Sequence, residues 1–177
     1  ETLRQLARQE PDLHPWEPVL LETKPSRHHR FQSTLAGAVA RRDPASPLVL
    51  ALTAAEARVQ VWTGGESLYS FRDWDGRGIL LSLSWDVESP LQYTSLTLLP
   101  SLPPLVAAAR HPGRESVRVA VGGSSLKRLI FHHSPSGTLP VDELAEQASG
   151  EARESPLGGA AAVRRWVEEC LRRLEEP

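Results

Sequence analysis

The sequence predicts an α+β fold: a mainly antiparallel sheet, built from a central meander and a later hairpin, flanked by N-terminal, middle and C-terminal helices. Three observations carry this expectation. Apolar or alternating runs of strand length crowd the middle of the chain, between residues 47 and 99. The pairs Gly64-Gly65, Asp75-Gly76 and Gly122-Gly123 separate several such runs. Links of that kind join antiparallel neighbours, because the tight hairpin turns need positive φ at their central residues. The C-terminal end instead carries a helical stripe, with Val163, Trp166, Val167, Cys170, Leu171 and Leu174 recurring on one face. Strands gathered centrally with helices outside them indicate α+β rather than alternating βαβ units.

In chain order, residues 2–9 read as a short helix, with Thr2 and Gln5 at capping-box spacing. Pro11, Pro15 and Pro18 then force an extended path, and Val19-Leu20-Leu21 is a short strand. Residues 31–42 form a second helix with Leu35 and Val39 on one side. Residues 47–53 are a strand joined through a turn at 54–57 to a meander of strands 58–63, 67–74 and 78–85. A strand at 91–99 follows, ended by Pro100, and Pro103 opens a brief helix over 103–111. Strands 117–121 and 126–132 pair across Gly122-Gly123. A modest helix at 141–148, a Gly/Pro/Ser-rich loop at 149–159 and the amphipathic helix complete the chain.

With 177 residues, 40% hydrophobic and 24% charged, the chain matches one globular domain over 1–177, and the absence of methionine suggests a piece of something longer. The formal net charge of −2 lacks the basic excess that phosphate neutralisation gives most nucleic-acid binders. One cysteine, Cys170, excludes an internal disulfide and a cysteine-rich zinc site, and points to a reducing compartment, cytoplasmic or nuclear. It falls on the apolar stripe, as a buried structural thiol would. No apolar run approaches a membrane span, so no membrane partner is expected. Nucleotide-phosphate loops and a nucleophile elbow are both missing, so no cofactor and no metal are expected.

One pattern carries possible chemistry. Pro11-Asp12 is followed, after nine intervening residues, by Glu22-Thr23-Lys24. This resembles the PD-(D/E)xK nuclease family. The resemblance implies that Asp12 and Glu22 hold Mg²⁺ while Lys24 positions the attacking water. The pairs His28-His29 and His132-His133 could reach a metal only by contributing one imidazole each, because adjacent strand residues face opposite ways. Arg27, Arg30, Arg41, Arg42, Lys127 and Arg128 are the basic residues that could meet nucleic acid, with tryptophans as stacking surfaces.

Five tryptophans against three phenylalanines and two tyrosines suggest protein contact. Trp62, Trp74, Trp85 and Trp166 are the candidate interaction residues. The functional expectation is a non-catalytic assembly domain with protein partners, a subunit or terminal domain of a complex acting in DNA repair or RNA processing. The alternatives are the metal-dependent nuclease and a nucleic-acid-binding accessory domain.

Overall fold

The computed structural model describes residues 8–23, 34–86, 90–100, 102–113, 116–135, 137–154 and 157–175. These build an α+β fold with two antiparallel sheets rather than one. A 3-10 turn, Pro11–Trp16, runs into helix α1, Glu17–Thr23. Helices α2, Leu35–Ala40, and α3, Pro47–Ala54, follow. The first sheet comprises β1, Arg58–Trp62, β2, Glu66–Ser70, and β3, Ile79–Ser84, in the order β2-β1-β3. The second comprises β4, Gln92–Leu96, β5, Val106–Pro112, β6, Val117–Gly122, and β7, Ile130–Ser134, in chain order. Helices α4, Val141–Gly150, and α5, Ala160–Glu175, close the fold.

Several elements differ from the sequence expectation, each for a physical reason. The strand expected at 19–21 is helix α1. Pro11 opens the 3-10 turn and Pro18 sits in the first turn of α1, where a missing backbone N–H costs nothing. The helix is tied in place by Thr23, whose hydroxyl donates to Val19 O and accepts from Leu48 N. The strand expected at 47–53 is helix α3, with Pro47 in its first turn and all eight residues buried. A helix buried on every side has no polar face, so its sequence shows no period by which to tell it from a buried strand.

The expected meander is also reordered. A hairpin joins β1 to β2 at Gly64-Gly65 as expected, through a three-residue loop, 63–65, in which Gly64 takes positive φ and Gly65 does not, with Val59 opposite Tyr69. β3, however, pairs with the other edge of β1, placing Val59 opposite Leu83 as well. The connection between β2 and β3 crosses over under its own anchors. Phe71 N donates to Ala57 O, and the buried Trp74 donates from Nε1 to Arg77 O.

Residues 103–111 do not form a helix; β5 begins at Val106. Its Val-Ala-Ala-Ala run is covered on both faces, so it lacks strand alternation. Ala107 and Ala109 join Ala120 of β6 in the core shared with α3, while Val106, Ala108, Val119 and Val121 join the core shared with α4 and α5. Small side chains on the α3 face let that helix lie close to the sheet.

The pair Gly122-Gly123 serves close approach rather than a two-residue turn. A Cβ at Gly122 would lie 2.4 Å from Pro44 O, and one at Gly123 would lie 2.2 Å from Leu105 O. Gly123 N in turn donates to Pro44 O. The α2–α3 loop is thereby pressed onto the end of β6. Strand β7 begins four residues later than expected, at Ile130. The intervening segment is held by a Leu126–Ala152 bridge and by hydrogen bonds Lys127 N to Glu151 O and Arg153 N to Ser125 O.

The later helices agree with their periodicity. Val163, Val167, Cys170, Leu171 and Leu174 of α5 are buried, and α4 buries Leu144, Ala145 and Ala148. Arg110 of β5 donates from Nη1 to Leu174 O and to Gln92 Oε1, closing the C-terminal end of α5 onto the sheet. Most of the expected helix at 2–9 lies outside the described residues. Among the described residues, no helix is long and apolar enough to cross a membrane.

Candidate functional site

The two described nuclease-like residues lie on elements other than the expected strand. Asp12 lies in the 3-10 turn and Glu22 in the last turn of α1, so the strand that should present an acidic pair is helical. Lys24 lies outside the described residues. The Glu22 carboxylate accepts from the hydroxyls of Tyr93 and Ser95 on β4, the latter at 2.5 Å. Burial, reinforced by Glu22, holds the Tyr93 phenol well above its ordinary pKa. Glu22 thus joins α1 to the second sheet.

No group of three His, Cys, Asp or Glu that could bind a metal occurs among the described residues. His28 and His29 lie outside them, and His132 and His133 follow one another along β7, where successive side chains face opposite ways. Cys170 is buried, and burial pushes its thiol up to about 11, which suits a structural residue.

The four candidate interaction tryptophans have different surroundings. Trp74 is buried, and Trp85 is half-buried beside the buried Trp16, with ring centroids 5.0 Å apart. Trp166 is half-buried against the α4–α5 core. Trp62 remains 47% exposed on the outer face of the first sheet, opposite the exposed Ile79.

The basic residues fare better. Arg27 and Arg30 lie outside the described residues, and Arg41 is exposed. Arg42, Lys127 and Arg128 converge on one cleft of about 440 Å³, where Arg72 joins them. Its walls come from four places: the α2–α3 loop, α3, the β2–β3 connection, and the β6–β7 connection leading into Phe131. Arg42 takes a left-handed backbone conformation, φ 49°, at the end of α2. That turns its side chain across the fold, where Nη2 donates to Arg72 O at 2.8 Å and the guanidinium lies 5.3 Å from the centre of the Phe71 ring. Burial lowers the Arg42 pKa, opposed by the charges of Asp73 and Asp75. Arg72 lies 4.9 Å over the Phe131 ring, and Arg128 pairs with Glu151 at 2.5 Å.

Sequence reading missed Arg72. It follows Phe71 at the end of a strand with no basic neighbour in the chain, so nothing local marks it. A second cavity, of about 370 Å³, is lined by Glu56 and Asp86 as well as Arg58 and Arg118. Its charges offset one another.

The fold has solved counterparts. One is a quinoline 2-oxidoreductase from Pseudomonas putida 86, matched with a TM-score of 0.67 at 16% identity over 96% of this chain and 67% of that one. Another is a Cu,Mo-CO dehydrogenase in its cyanide-inactivated form, with a TM-score of 0.67 at 15% identity over 88% of this chain and 65% of that one. A third is a carbon monoxide dehydrogenase from Hydrogenophaga pseudoflava that lacks the Mo-pyranopterin moiety of its molybdenum cofactor, with a TM-score of 0.64 at 12% identity over 84% of this chain and 61% of that one. The chain therefore spans about two thirds of the length of these counterparts. At such identities the likeness is one of fold. No protein-family model and no curated protein sequence matches the chain.

All three counterparts are oxidoreductases. That corrects the expected non-catalytic assembly domain of DNA repair or RNA processing, and with it the nuclease and nucleic-acid-binding alternatives.

Proposed function

We propose that this chain is part of an oxidoreductase assembled from several domains or subunits. The supporting observation is the fold match, which runs through both sheets and reaches 96% of the chain. The counterparts act, by name, on a fused heteroaromatic ring and on a diatomic gas. A fold common to enzymes with such unlike substrates serves what their reactions share, which is the removal of electrons. By fold-level analogy, we assign this chain to the cofactor- or electron-handling side of the enzyme, away from substrate recognition.

Copper and molybdenum are named for one counterpart, and a molybdenum cofactor without its Mo-pyranopterin moiety for another. The described residues of this chain do not fit such a centre, because they hold no cluster of metal-ligating side chains and their cysteine is buried with a raised pKa. These residues form a double-sheet body with a positively charged cleft open to solvent.

The test uses the whole protein, affinity-tagged in its own cells and purified with whatever it binds. The assembly should absorb in the visible range, bleach on reduction, and pass electrons to a tetrazolium dye when offered an oxidisable substrate, starting with quinoline and carbon monoxide. A colourless preparation with no dithionite-induced spectral change would sink the reading.

A further inference from the structure

We infer that the cleft between Arg42, Arg72, Lys127 and Arg128 is a binding site for a phosphate-bearing small anion. Four cations line it and, among the described residues, none of its lining is acidic; Asp73 and Glu151 pair with Arg72 and Arg128 from outside the lining, which leaves Arg42 and Lys127 without an ion pair among the described residues. A concave wall of one charge sign focuses the field and raises the local concentration of the opposite ion. The volume of about 440 Å³ lies within the range of small-ligand pockets.

The charges are also held ready. Arg42 is fixed by its bond to Arg72 O and by the Phe71 ring, Arg72 by the Phe131 ring and an ion pair with Asp73 at 3.3 Å, and Arg128 by Glu151. The segment bearing Lys127 and Arg128 is clamped to the end of α4 by backbone bonds and the Leu126–Ala152 bridge. An anion entering the cleft therefore orders few side chains, so little entropy opposes binding. Guanidinium groups match the paired oxygens of a phosphate. Lys127 is exposed and takes part in no ion pair among the described residues, which leaves its ammonium available. Pro44, Val49, Leu129 and Phe131 supply the apolar part of the wall and bound its size. Arg42 holds its position at the cost of a left-handed backbone, a conformation that non-glycine residues adopt mostly where the surroundings impose it.

Titration calorimetry on the full chain tests the site, with inorganic pyrophosphate as one probe and ribose 5-phosphate as the other, at low salt. Their relative affinities distinguish a free polyphosphate from a phosphomonoester on an organic body. Binding of either is expected, with Kd raised about tenfold or more by Lys127→Glu and restored by Lys127→Arg. Arg165→Glu, the same charge change on the exposed face of α5, should leave Kd within about twofold. Absence of binding by both probes at low salt overturns the inference, as does equal weakening by Lys127→Glu and Arg165→Glu. Neither result bears on the redox spectrum of the purified assembly, so this site and the oxidoreductase reading fail separately.

Discussion

At the scale of single residues, polar groups inside this protein are committed to joining elements. Glu22, Tyr93 and Ser95 connect α1 to β4, and Arg110 connects β5 to the end of α5. His111 is the most exacting case. It is 1% exposed, and its Nδ1 lies 2.8 Å from Arg118 Nη2, which can only donate, so the imidazole accepts and must be neutral. Burial first, then the Arg118 charge, lowers its pKa, against weaker opposition from Asp86 and Glu56. A His whose folded pKa is lowered loses stability to acid: above about 6.5, the ordinary value, neither folded nor unfolded chain is protonated there. As pH falls below that, the unfolded chain takes up a proton that the folded chain resists. The urea midpoint should therefore fall between about pH 7 and pH 5, and fall less in His111→Gln. Equal acid sensitivity in the two proteins would remove His111 as the cause.

Among the elements, α3 gives the first core more buried residues than any other and was the least legible. All eight of its residues are buried, so nothing in Pro47-Leu-Val-Leu-Ala-Leu-Thr-Ala alternates with polarity. Leu50 is fully buried against the sheet. Leu50→Ala should cost about 2–5 kcal/mol, the range for deleting a core leucine into a packed site. Leu81→Thr, on the outer face of the first sheet where the leucine is 47% exposed, should stay within about 0.5 kcal/mol. Chemical denaturation of both variants checks the contrast, and comparable losses would mean that the outer face is covered. Helix α5 is the opposite case. Its stripe was readable because one face meets water, and five of the six residues the spacing named are buried, Trp166 being half-buried.

For the whole molecule, the decisive feature is that β5 and β6 are covered on both faces. One face shares a core with α3 and the first sheet, the other with α4 and α5. Neither core can open without exposing the sheet that closes the other. Heating should therefore give one cooperative transition by calorimetry, coincident with the tryptophan fluorescence change. Two separable transitions would show that the halves unfold independently. The same arrangement makes the basic cleft, because the α2–α3 loop reaches Lys127 and Arg128 only when Gly122 and Gly123 let Pro44 lie against the end of β6.

Local physics carried the α+β class, the antiparallel pairing, the Gly64-Gly65 hairpin, and helices α4 and α5. Each is written in a few consecutive residues, as a period, a cap or a turn pair. Three of the six basic residues picked out by sequence, Arg42, Lys127 and Arg128, do come together. Tertiary structure alone decided the rest: that α3 is a helix, that β5 is a strand, that β3 crosses to the far side of β1, and that Arg72 completes the cleft. Burial on all sides erases the polar half of a sequence pattern, and an apolar run then fits helix and strand equally well. A cleft assembled from residues 42, 72, 127 and 128 has no local signature at all, because its neighbours are set by packing between elements distant in the chain.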